Sequence, residues 1–452
     1  MLSAPARDDA RAFGAKVRRL AESPRFRRLD ALEQLYKGEH RSDRPSFWEL
    51  DVPLHERAPC VQSSIAEAAG SRLVNLVFGE GRFPTLSVGE SAWEITFADA
   101  ERARLTALVA EVVKAATLRL VMSAALEQGL MVGTVVLVAS VERGRLRARL
   151  YPAKWCTPEF DADGETVAAL EVRYRHDAPD PATGQPTTCW YRRRIDATTD
   201  TVWRDVPARG DGYEPDWGDG ETITHDLGFC PARWHRNRPD VSDNDPLDGT
   251  ALFAGLEDEI AALDMAMSQR HRNGRINGDP QVVVIGPDAQ PGDAAMGEQG
   301  RMADPARGSW FSQVYDGAKR WIGQGGGPLG AARGGATKKA PNTIWRLKEN
   351  SDAKILESSG AGATILTQDA DALRRTILEA RGIVIASPEQ IGANASAALM
   401  HELFEPMVAV AAQYREEYGQ MLADVVNLLL RVAAATAARG RFVALRGLRD
   451  AL

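Results

Sequence analysis

Four short stretches of this sequence carry side chains of the right type for metal, phosphate or hydrolytic chemistry, and each falls short on spacing. His225, Cys230 and His235 offer two imidazoles and a thiol, a donor set for zinc. They straddle a predicted turn between strands whose side chains alternate from face to face, so a structural role fits them better. Asp240, Asp243, Asp245 and Asp248 place four carboxylates within nine residues, enough to hold Mg²⁺. Their spacing is not that of a Ca²⁺ loop, and they stand just ahead of a predicted helix, whose dipole favours acids there. The run His401-Glu402-Leu403-Phe404-Glu405 opens like a metalloprotease helix but has no second histidine one turn on. The glycine-rich stretch 323–330, GQGGGPLG, lacks the Gly-Lys-[Ser/Thr] that reaches phosphates and Mg²⁺. No serine lies in a Gly-x-Ser-x-Gly turn. Catalytic residues, a resident metal and a cofactor are therefore not expected, and the chain reads as a non-enzyme.

One further stretch carries charge without chemistry. From Gly317 to Lys348 there are seven Lys or Arg residues and no acid. Lys319, Arg320, Arg333, Lys338 and Lys339 are mostly set among glycines and other small residues. Such a run is either a solvated loop or a docking surface for an acidic partner or DNA. The net charge of −7 argues against wrapping nucleic acid through bulk positive charge, so any contact with DNA must be local or weak.

The elements that must position these residues change in kind along the chain. At 452 residues it is too long for one ordinary core, and two to four packing units are expected. Hydrophobic residues at 44% and charged residues at 26% are those of a folded soluble chain. Cys60, Cys156, Cys189 and Cys230 form no Cys-x-x-Cys pair, which predicts reduced thiols in a cytoplasm. The N-terminus has no apolar signal-peptide core, and no run approaches the roughly 20 apolar residues of a membrane span, so no membrane contact is expected. Residues 7–37 read as two short helices parted at Ser23-Pro24, residues 61–78 as a third, and 98–128 as one long amphipathic helix stopped by Gly129. From 134 to 235 the pattern alternates, predicting a mostly antiparallel β region. A helix over 250–273 follows, with Leu252, Leu256, Ile260, Leu263 and Met267 on one face and Glu257, Asp258 and Asp264 away from it. A short strand and a long glycine-rich stretch lead to a helix over 364–381, capped by Gly382.

The stretch SPEQIGANASAALMHELFEP, Ser387 to Pro406, begins as a small-residue loop and turns into the longest helical pattern, about 396–436. That pattern implies roughly 60 Å of helix. Pro406 removes a backbone bond and clashes with the preceding turn, at about 3 kcal/mol in a simple helix, which predicts a kink.

In this order the elements resemble the portal proteins, or head-to-tail connectors, of tailed bacteriophages. ALEQLYKGEH (31–40) is similar to the family's early Tyr-x-Gly-[Glu/Gln]-His segment, and ALEQGLMVGTVVLVASV (125–141) to its helix, glycine and hairpin. HDLGFCPARWHRNRP (225–239) resembles its Gly-x-x-Pro segment, LDGTALFAGLEDEIAALDMAMSQ (247–269) its first stem helix, and GANASAALMHELFEPM (392–407) the start of its long helix. The resemblance spans about residues 30–435 and rests on the order of these five short matches. It implies an α+β, portal-like fold of mainly long helices, with an antiparallel β region in a wing and a small α/β clip module. Residues 1–245 and the kinked helix 397–436 would form the wing, 246–275 and 351–383 the two stem helices, and 276–350 the clip. Residues 384–396 would form the tunnel loop, and 437–452 a short tail or vestigial crown.

The same resemblance implies a homo-oligomeric ring, usually of twelve subunits, at one vertex of the virion capsid, assembled in the host cytoplasm. Double-stranded DNA is packaged and ejected through such a ring. Its implied partners are terminase, a head-tail adaptor, and the major capsid or a scaffold protein. In that layout Glu389, Gln390, Gly392, Asn394 and Ser396 face the DNA channel, and Pro406 bends the long helix from channel wall to wing. Lys319, Arg320, Arg333, Lys338 and Lys339 then belong to the docking face of the clip. Two other classes stay open from the residues alone: a capsid-associated adaptor or scaffold without its own ring, and a divergent nucleic-acid-processing enzyme.

Overall fold

A computed structural model describes residues 23–41, 44–49, 52–79, 81–84, 99–179, 184–207, 217–238, 247–278, 283–285, 345–347, 361–385 and 397–439. The architecture is α+β, with helices and antiparallel sheets. The first helix, α1 (Pro24–Tyr36), starts where the Ser23 hydroxyl accepts the Phe26 N–H at 3.1 Å and proline occupies the first helical turn, both standard N-terminal devices. Next comes α2 (Ile65–Phe78).

The stretch expected to be one long helix is two, α3 (Asp99–Ala115) and α4 (Leu118–Val132), parted at Thr117 with φ of 52°. A β-branched residue in the left-handed region is strained. The break re-aims the second helix so that Leu118, Met122, Ala125 and Leu126 are all fully buried, and that burial outweighs the local cost. Nor does Gly129 stop the helix. It lies inside α4, and Gly133, with φ of 81°, is the residue that ends it, its N–H reaching the Gly129 carbonyl at 2.8 Å.

Strand β1 (Thr134–Glu142) turns into β2 (Arg145–Tyr151) through Arg143 and Gly144, both at positive φ, the two-residue turn whose twist matches a hairpin. The following strands are β3 (Cys156–Phe160), β4 (Val167–Pro179), β5 (Pro186–Ile195), β6 (Thr199–Pro207), β7 (Glu221–Thr224) and β8 (Ala232–Arg236). They form two antiparallel sheets, ordered β2-β1-β8 and β3-β4-β5-β6-β7. Val136, Val138 and Trp234 of the smaller sheet share a core with Leu170, Val172 and Ile195 of the larger.

The helix expected over 250–273 runs instead as α5, Glu257–Gly278. Gly255 at φ of 80° interrupts it, and the Leu252 N–H is held by the Leu130 carbonyl at 2.8 Å. Asp264 also departs from expectation: it is 1% exposed, among buried Ile260, Ala261 and Leu263. Further on are β9 (Val283–Ile285) and β10 (Trp345–Leu347), paired in parallel, then α6 (Ala361–Glu379) and α7 (Ala397–Ala438).

Two compact units result. One comprises residues 1–265 and 371–452, the other 266–370. Within the first, α7 packs against β1 and α2. By length and composition Met400–Ala438 could cross a membrane, contrary to the sequence expectation that no run comes close. One face of it is core: Met407, Ala411, Tyr414, Tyr418, Leu422, Val425 and Leu429 are buried. The expected proline lies within this helix, which continues across Pro406.

A buried polar contact fixes α7 to the smaller sheet. Tyr418, fully buried, donates its hydroxyl to the Asn237 side-chain oxygen at 2.7 Å, and its ring meets His235 edge-on. Only a glycine at 129 allows this, because a Cβ there would stand 1.8 Å from the Tyr418 hydroxyl.

Candidate functional site

The loop of residues 384–396 is singled out by its chemistry, and the structure describes the ground on which it stands. Helix α6 ends in a Schellman cap: Gly382 at φ of 63° donates its N–H to the Glu379 carbonyl at 3.0 Å, and Ile383 donates to Leu378 at 2.9 Å. Ile383 and Leu378 are both buried, the apolar contact that accompanies this cap. The chain then lies on α7. Val384 donates its N–H to the Met407 sulfur at 3.5 Å. A Cβ on Gly382 would stand 3.2 Å from Val410 Cγ2 and 3.6 Å from the Pro406 carbonyl oxygen.

The chain thus enters the loop pinned to the turn of α7 that contains Pro406, a short way beyond the point where the same loop feeds into that helix. Arg381 reaches the Ala254 carbonyl, tying this ground to the turn before α5. Glu389, Gln390, Gly392, Asn394 and Ser396 themselves lie outside the described residues, as do Lys319, Arg320, Arg333, Lys338 and Lys339.

The candidate metal ligands are drawn apart. Cys230 lies in the core between the sheets, its sulfur 3.5 Å from the Ile195 carbonyl, and burial pushes its thiol up to about 12. His225 accepts the Leu227 N–H on Nδ1, whereas His235 faces Tyr418. Asp248 is spent on a buried ion pair. Its carboxylate accepts from Arg25 at 2.6 and 2.8 Å, from Arg28 at 3.2 Å and from the Thr134 hydroxyl at 2.9 Å. Asp240, Asp243 and Asp245 lie outside the described residues, and His401, Glu402 and Glu405 are exposed on α7. Among the described residues no three His, Cys, Asp or Glu side chains converge on a metal-sized site.

One constellation escaped the sequence. Asp264 of α5 accepts the Ser63 backbone N–H at 2.8 Å and stands 3.3 Å from His40 Nε2. It therefore ties together the turn after α1, the start of α2 and the first half of α5. Burial pushes the Asp264 carboxyl up and the His40 imidazole down, while the Ser63 hydrogen bonds and the imidazole itself favour the carboxylate. The signal available in the sequence was an acid at helical spacing from Ile260 and Leu263, inside the apolar face.

No family model matches this chain, and no curated protein matches it.

Proposed function

We propose that this chain is the subunit of a portal-type ring, a conduit for double-stranded DNA at one capsid vertex and a docking platform for terminase and a head-tail adaptor. The observation that carries the reading is the discontinuity of the main unit. The chain leaves it at 265 inside α5 and rejoins it at 371 inside α6, so residues 266–370 form an insertion entered and left through helices. A clip borne on two stem helices requires such a layout, and it falls where the order of sequence elements places stem and clip. The anchoring of Ile383 and Val384 beside Pro406 and Met407 adds support, since it gives the 384–396 loop a fixed footing at the head of the longest helix.

In this reading the loops of successive subunits surround the DNA. From Pro388 to Met400 the charged side chains are Glu389 and Glu402's neighbour-free predecessors contribute none, so each contact with phosphate adds little affinity and the duplex slides. The acid-free run 317–348 gives the inserted unit a surface for an acidic partner. Negative-stain microscopy and native mass measurement of the purified protein test the proposal. Closed rings with an axial hole, formed without nucleotide or metal, are expected. A protein that stays monomeric at micromolar concentration overturns it.

A further inference from the structure

The outer face of the five-stranded sheet is built unlike the rest of the surface. Leu170, Val172 and Ile195 point into the core, so the intervening residues of β4 and β5 point away from it. On that side Arg173 and Arg175 lie over the Trp190 ring, with guanidinium carbons 5.3 and 4.3 Å from its centroid. Arg192 lies over Trp203 at 4.8 Å and Trp217 at 5.2 Å. Trp217 in turn meets Trp190 and Trp203 edge-on at 6.4 and 6.3 Å. Stacking on indole fixes guanidinium groups that would otherwise be mobile, which lowers the entropy lost when they bind a ligand.

The hydrogen-bonding balance of this face is one-sided. Trp190 Nε1, Trp217 Nε1 and Arg192 Nε are buried and have no acceptor. Trp190 is only 7% exposed. All three are donors, and a buried donor without an acceptor is costly. What the face lacks is acceptors, and a carboxylate is purely an acceptor. The remaining charges select among anions. Arg192 is bound to Glu171 at 2.9 Å, and Asp177, on the same side of β4, accepts from Thr188 at 3.1 Å. A continuous phosphodiester ladder would be set against these interleaved acids, whereas separate carboxylates on a peptide can be spaced between them. Tryptophan and arginine are also the residues that dominate protein–protein hot spots.

We propose that this Arg–Trp face docks an acidic peptide segment of a partner protein. The assignment does not rest on the portal reading and holds for any oligomeric state that leaves the face open. It is tested on the full chain with a fluorescein-labelled twelve-residue peptide of alternating Glu and Ser, by anisotropy and tryptophan emission, beside the same peptide with Gln for Glu. The acidic peptide is expected to bind and shift the emission, to weaken as salt rises, and to bind at least tenfold more tightly than its Gln counterpart. The double variant Arg173→Gln/Arg175→Gln should lose at least tenfold in affinity with an unchanged melting curve. Arg173→Lys/Arg175→Lys, which keeps the charge but not the planar fork, should fall between, and serves if the Gln pair misfolds. Equal binding of the Gln peptide, or unchanged affinity in both variants, overturns the proposal. So does tighter binding of a twelve-base-pair DNA duplex, or a change of oligomeric state in the variants without peptide binding, which would make the face a contact between copies.

Discussion

Replacing Gly129 by alanine distinguishes two explanations of that glycine with opposite signs. Were it there only to end or loosen α4, alanine would stabilise the helix by about 0.5–1 kcal/mol. The structure demands the reverse. The added Cβ would lie 1.8 Å from the Tyr418 hydroxyl and 2.8 and 2.9 Å from the Asn237 amide atoms, roughly 1.5 Å inside ordinary contact at the closest point. Tyr418 is fully buried and cannot swing into solvent, so either α7 moves off the sheet or the hydrogen bond to Asn237 breaks. Overpacking of this kind costs about 1–3 kcal/mol and the orphaned buried partner about 1–3 more, so a loss of about 2–5 kcal/mol is expected. Urea unfolding followed by circular dichroism, at one fixed protein concentration, measures it. Tyr418→Phe removes the clashing oxygen, so the double variant should be less destabilised than the sum of the singles by about 1–3 kcal/mol. Wild-type stability in Gly129→Ala, or strict additivity in the pair, would refute the close approach of α7 to α4.

Asp248→Asn should destabilise by about 3–5 kcal/mol in urea, because it leaves the Arg25 guanidinium, held by a carboxylate only 1% exposed, without its counter-charge. His235 is held neutral, chiefly by burial and then by Arg233, with a pKa lowered to about 4. The unfolded chain takes up a proton near pH 6.5 and the folded one only near 4, so this contribution is complete above pH 6.5 and is lost as pH falls to about 4, at most about 3 kcal/mol. His235→Phe, which keeps the edge-on ring contact with Tyr418, should lose less stability than the wild type across that window. Deleting 323–340 should spare ring formation but weaken terminase or adaptor binding, as pull-down from purified components would register. Gln390→Lys or Asn394→Lys should leave rings intact and stall packaging, with partial rescue at higher salt, since a lysine repeated around the ring adds a counterion-release term per subunit.

What the sequence disclosed and what it hid divide by range. The β1–β2 hairpin was legible because Arg143-Gly144 and the alternation on either side of it fall within one short window. The same holds for α1, announced by Ser23-Pro24, and for α7, whose apolar stripe repeats over more than ten turns. The buried polar contacts were illegible for the converse reason. Arg25 and Asp248 are 223 residues apart, Ser63 and Asp264 are 201 apart, and Asn237 and Tyr418 are 181 apart. Within its own window each partner has a local explanation that looks sufficient: Asp248 as an acid ahead of a helix, Asp264 as part of a solvated acidic face, Gly129 as a stop.

The break at Thr117 was hidden differently. Nothing in the local pattern of 98–128 forbids one straight helix, and only the demand that Leu118, Met122 and Leu126 enter a core made by distant elements bends the chain there. Acids and glycines therefore deserve two hypotheses whenever they sit among apolar residues at helical spacing, and the second is a partner far along the chain. Applied to α5, this rule gives the tie at Asp264 a further consequence. Asp264 is the penultimate residue of the main unit, on the helix that carries the chain into the insertion. A carboxylate that grips the α1 turn and the start of α2 there fixes the direction in which α5 leaves, so the insertion inherits its starting orientation from a contact that the inserted residues do not themselves make.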